Sequence, residues 1–199
     1  MRWVAGLAAG AVWLLAAMPA LAQTPTSVEA MTEAQQSEYY CVYDYLDFFA
    51  DRAKLTAGYI AGDPDAAGYQ DQMDEVDGAA ADCAEEYGWA EDRTNAASMI
   101  GFYGVIVDEL ETRLVALGLK ETDLDALYDV FDTVSEDDLR AFVDGVWIDN
   151  KDVLQRLKAQ LAAKGIKGDA VFRDASYLAE AYMLVSLLTY EWLKTMPKS

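Results

Sequence analysis

Ala181-Tyr182-Met183-Leu184-Val185-Ser186-Leu187-Leu188-Thr189-Tyr190 carries no charge, and it lies between Glu180 and Glu191 near the C-terminus. A helix that is apolar on every side is buried in a bundle or in a membrane. A bilayer crossing needs about 20 such residues, and this run is too short. The run therefore predicts the central helix of a helical bundle, spanning Ala175 to Met196, with the other helices laid around it.

Upstream segments repeat helical spacing. Thr32-x-x-Gln35 fits a capping box, opening a helix expected to run to Ala61. It places Cys41, Tyr45, Phe48, Leu55 and Tyr59 on one face, with Val42, Leu46 and Phe49 beside them. Gly62-Asp63-Pro64 stops it and starts a second helix, with Asp63 as cap and Pro64 at the first position. That helix has one narrow seam: Tyr69, Met73, Val76, Ala80, Cys83 and Tyr87, ended by Gly88. A third helix, Asp92 to Leu117, repeats the pattern with Tyr103, Val107, Leu110 and Leu114. Gly101 and Gly104 lie inside it, each costing roughly 1 kcal/mol relative to alanine, which points to close approach of a neighbouring helix. Shorter helices follow, opened by Thr122-x-x-Asp125 and Ser135-x-x-Asp138, the second broken or bent at Asp149-Asn150. No alternating strand pattern survives. The fold class is all-α: a single-domain bundle of six or seven helices around a buried C-terminal helix.

The first residues belong to processing. Arg2 precedes an uncharged apolar stretch from Trp3 to Ala17. Pro19 and Ala20-Leu21-Ala22 follow, in the order of a secretory signal peptide cut between Ala22 and Gln23. The expected organisation is a signal peptide over 1–22, a flexible tail over 23–31 and a helical domain over 32–199. Export to the periplasm of a bacterial envelope follows, with no stable membrane insertion after cleavage.

Charge narrows the partners. The net charge is −20, and residues 23–139 hold 28 acids against 5 bases, while residues 140–199 hold 7 against 9. Such a surface repels phosphate backbones, which excludes nucleic acid. The basic segment of Lys151, Arg156, Lys158, Lys164 and Lys167 is expected to pair with the acidic part of the chain. No histidine is present. The commonest general base and metal ligand is therefore missing, and with it any Ser-His-Asp or Cys-His arrangement.

Cys41 and Cys83 lie at equal distances on either side of Gly62, and small residues (Ala79, Ala80, Ala81, Ala84) surround Cys83. An exported chain with this symmetry predicts a disulfide. Asp63 to Asp74 partly matches a calcium loop, making Asp63, Asp65, Asp71 and Asp74 candidate Ca2+ ligands, with Gly68 where such a loop turns. Three positions depart from the pattern. Ala67 stands where a ligand is needed, Gln70 where an aliphatic residue belongs, and Asp74 where the loop closes with glutamate. Tyr69 and Met73, moreover, already belong to the helical seam. Asp71, Asp74, Glu75, Asp77, Asp82, Glu85 and Glu86 read as a solvated face.

Tyr39, Tyr40, Tyr43 and Tyr45 span too much of a helix circumference to share one core, so Tyr39, Tyr40 and Tyr43 mark an interaction surface. The function expected is an exported, disulfide-clamped, non-catalytic binding module for an envelope protein or small ligand. A carboxylate-dependent hydrolase and a low-affinity divalent-cation binder are the alternatives.

Overall fold

The computed structural model describes residues 25–196. The expected signal peptide and its cleavage site lie outside the described residues. Among the described residues eight α-helices make one all-helical domain: α1 (Glu33–Phe49), α2 (Arg52–Ala61), α3 (Tyr69–Tyr87), α4 (Glu91–Ala116), α5 (Glu121–Phe131), α6 (Glu136–Val143), α7 (Lys151–Ala163) and α8 (Asp169–Thr195). Short 3-10 turns cover Val28–Ala30 and Val146–Asp149.

The number exceeds the expected six or seven because the first predicted helix breaks. Thr32 and Gln35 form the capping box that starts α1, but Ala50 is extended and Asp51 caps a new helix by accepting from the Lys54 N–H at 3.1 Å. The break turns the end of α1 outward. Phe48, expected in the core, is 81 % exposed, and Phe49 is exposed beside it. Gly62 ends α2 with φ of 60°. The following helix starts at Tyr69 and not at Pro64, behind Gly68. The Tyr69 ring lies on the bare backbone of Gly58, its Cδ2 only 2.1 Å from where a Cβ would stand. That contact fixes where α3 begins.

α8 packs most extensively along α4, and α4 receives α1 on another side. The close approach expected at the glycines is realised. A Cβ on Gly101 would stand 2.6 Å from Val42 Cγ1 and 3.0 Å from the Tyr43 nitrogen, and one on Gly104 would stand 2.7 Å from Tyr43 Cδ2. α3 packs against α1 and α4, while α6 lies on α8. The core is built from Val42, Leu46, Leu55, Ile106, Leu110, Leu114, Phe142 and Leu178.

α8 is the buried central helix, but its enclosed part lies earlier than the uncharged run implies. Val171, Asp174, Ala175, Leu178, Ala179, Glu180, Ala181 and Met183 are buried. In the run itself Leu184, Val185 and Leu188 are half-buried, Leu187 is 44 % exposed and Tyr190 58 %. Residues 25–31, expected as a loose tail, lie against the bundle: Pro25 and Met31 are buried, and Gln36 Nε2 donates to the Val28 carbonyl at 3.2 Å.

Cys41 in α1 and Cys83 in α3 are joined, with Cα atoms 6.1 Å apart. This is the pairing their symmetry about Gly62 predicts.

Candidate contact surface

α1, α4 and α8 enclose a groove of about 270 Å³. Its walls are Tyr39, Tyr40 and Tyr43 from α1, Ile100, Gly104, Val107 and Asp108 from α4, and Val185 from α8. Gly104 makes the groove possible, because its missing side chain admits the Tyr43 ring to the α4 backbone.

The tyrosines divide as their helical positions dictate. Tyr39 is core, at 7 % exposure, with its hydroxyl 2.6 Å from Thr189 Oγ1 and its ring edge-on to Trp192. Tyr40 is 38 % exposed and packs edge-on against Tyr39 and Tyr43. Tyr43 is half-buried, and its hydroxyl donates to Asp108 Oδ2. Burial first, and then the bond to Asp108, push the Tyr43 phenol well above its ordinary range. The phenol therefore remains a donor at any physiological pH. Arg52 lies 2.8 Å from Asp47 and 3.8 Å from Asp108.

A second groove, of about 370 Å³, opens on the other side of α8, between Phe131, Val134 and Leu139 and the face carrying Tyr182, Ser186, Leu187 and Tyr190. Tyr182 donates to Asp132 at 2.8 Å on its edge. The uncharged run of α8 thus forms part of the wall of both grooves. Its lack of charge matches two half-open apolar surfaces better than a closed core.

Other predicted residues are placed as follows. Asp63, Asp65, Asp71 and Asp74 are exposed, with Asp71 and Asp74 inside α3; Asp63 Oδ1 accepts from the Asp65 N–H, and Asp74 from Gln70 Nε2. Among the described residues no group of three or more His, Cys, Asp or Glu side chains gathers closely enough to hold a metal ion. The acidic residues of α3 all face solvent. Trp147 is core, and Trp89 stacks on Tyr87 while donating to Glu38 at 2.8 Å. In the basic segment Arg156 binds Asp138, Lys158 binds Asp169 and Lys164 binds Asp129.

Buried acids escaped the sequence reading. Asp138, Asp174 and Glu180 are all buried. The Arg156 guanidinium holds the Asp138 carboxyl below the usual carboxylate range, against burial that raises it. Asp174 accepts from Arg113 at 3.0 Å and from Arg173 at 2.8 Å. Glu180 instead accepts from the hydroxyl of Tyr59, whose ring packs edge-on against Tyr103 and Tyr177. The same phenol-to-carboxylate pairing joins Tyr128 to Glu111. A signal existed for Asp174: Val171, Asp174, Leu178 and Ala181 fall at three- and four-residue steps, which put it on the enclosed face. None of these buried acids lines either groove.

Compared with known protein families, curated proteins and solved structures, the chain matches none.

Proposed function

We propose that this chain is an exported, disulfide-clamped helical binding module, non-catalytic, that meets a partner in the bacterial envelope through the groove between α1, α4 and α8. The observation that carries the reading is Tyr40, exposed on the lip of a groove whose α1 wall is tied to α3 by the disulfide and to α4 by the glycine contact. Tyrosine on a rigid element gives contact area at low entropic cost. The signal-like N-terminus and the paired cysteines support export, and no described helix is long and apolar enough to cross a membrane.

Paired unfolding and binding measurements test the reading. Tyr40→Ala should weaken partner binding by about 2 kcal/mol with little loss of stability. Tyr39→Ala, which empties a core position, should cost about 3–5 kcal/mol of folding free energy. A photo-crosslinker at position 40, used on envelope fractions, should capture the partner. Equal large stability losses at both positions, without any crosslinked product, refute the groove. N-terminal sequencing of exported protein should find Gln23 first.

A further inference from the structure

The walls of the groove between α1, α4 and α8 carry a one-sided set of charges. Asp108 is part of the wall. Asp44 and Asp47 lie one helical turn beyond Tyr40 and Tyr43 on α1, and both are exposed. The base that faces these groups is Arg52, already bound to Asp47. Beside the acids the groove is lined by the half-buried Val107 and Val185, the buried Ile100, and the rings of Tyr40 and Tyr43. Asp47 and Asp108 share Arg52, and Asp108 also accepts from the Tyr43 hydroxyl, so the rim keeps a net negative charge that repels an anionic partner and favours a cationic one.

We propose that the groove receives a cationic amphipathic peptide segment of a partner protein. The inference rests on the groove being the contact surface. Apolar side chains of the segment pack on Ile100, Val107 and Val185. Its Lys or Arg heads reach Asp44 and Asp108 beside the rings of Tyr40 and Tyr43. A second copy of this chain fits less well. It brings the same acidic rim, and three of the five residues of its basic segment, Arg156, Lys158 and Lys164, are engaged within their own chain.

The test uses the disulfide-bonded protein and three helical peptides of identical leucine pattern, with lysine, serine or glutamate at the polar positions. Calorimetry gives affinity, and amide NMR shifts give the site. The lysine peptide should bind with shifts centred on Tyr40, Tyr43, Gly104 and Val185, while the glutamate peptide should not bind. Affinity should fall as salt rises from about 20 to about 300 mM, as expected for screened rim charges. Asp44→Asn with Asp108→Asn should weaken binding roughly three- to tenfold, the effect of two exposed charge pairs. Tyr40→Ala should weaken it about 30-fold, as for an aromatic anchor. If the serine or glutamate peptide binds the groove equally well, the cationic class is wrong while the groove remains the contact surface. Shifts confined to the acidic face of α3 overturn the inference. A dimer in sedimentation that Tyr40→Ala dissociates gives the groove to a second copy and also overturns it. If no peptide binds, the inference fails, and the crosslink at position 40 decides separately whether the groove reading stands.

Discussion

Tyr59 and Glu180 show how single residues solve a problem of supply. The chain has 35 acids and 15 bases; the buried Asp138 and Asp174 meet arginines, and the buried Glu180 does not. Here a phenol donates instead. The pairing joins residues far apart in the chain, and no local spacing could announce it. The tyrosines of α1 were legible because their crowding on one helix is a local fact. Burial and the neighbouring Glu180 charge push the Tyr59 phenol far up, and burial and Glu111 do the same for Tyr128. A phenol whose native pKa lies above its unfolded value holds its proton more tightly when folded. Its stabilising contribution is complete below about pH 10 and is lost as pH climbs through the raised native value. Circular dichroism and phenolate absorbance, followed together above about pH 9, should show a late group of tyrosines titrating only as helicity collapses. Early, non-cooperative titration of every tyrosine would contradict the pairing. Tyr59→Phe should cost about 1–3 kcal/mol in urea unfolding at neutral pH, because it strips a buried carboxylate of its donor.

Among the elements, α4 and α3 make opposite uses of glycine. Gly101 admits Val42 and the α1 backbone, so a methyl there collides with atoms that cannot swing away. Gly78 lies inside α3 with nothing within 4 Å of its added Cβ. Gly101→Ala should therefore lose roughly 1–3 kcal/mol from overpacking, and Gly78→Ala should gain about 0.5–1 kcal/mol from helix propensity. Thermal melts of the two variants should move in opposite directions. The contact at Gly101 was readable, since two glycines inside a strong helical pattern require a neighbour. The break between α1 and α2 was not. Asp51 continues the polar side formed by Asp44 and Asp47, and its role as a cap depends on Gln72 of α3, whose Oε1 accepts from the Asp51 N–H. The outward turn of Phe48 and Phe49 follows from that break.

At the scale of the molecule, the disulfide bounds a 42-residue separation that includes all of α2. A loop of that length is worth about 4 kcal/mol in the chain-entropy model. Reduction should lower the unfolding midpoint while leaving the helical signal at ordinary temperature intact; an unchanged midpoint would show that the link contributes nothing. The expected pairing of the basic segment with the acidic part is met only in part, since Lys158 binds Asp169 within the C-terminal part itself. Arg156 with Asp138 and Lys164 with Asp129 tie the basic part of the chain to the acidic part. Apart from Asp174, whose spacing carried a signal, which acids would be enclosed was not legible in the sequence, because burial is decided by helices that meet only in three dimensions.

The phenol-to-carboxylate bonds have one more consequence, for the proton inventory of the whole particle. A carboxylate held by a guanidinium is cancelled, whereas one held by a neutral phenol keeps its negative charge. With no histidine and both cysteines joined, no side chain present is of a type that ordinarily exchanges protons between about pH 6 and 8. Electrophoretic mobility should therefore change by no more than about the one charge of the α-amino group across that window. Such a molecule presents a nearly constant electrical face while the acidity around it drifts.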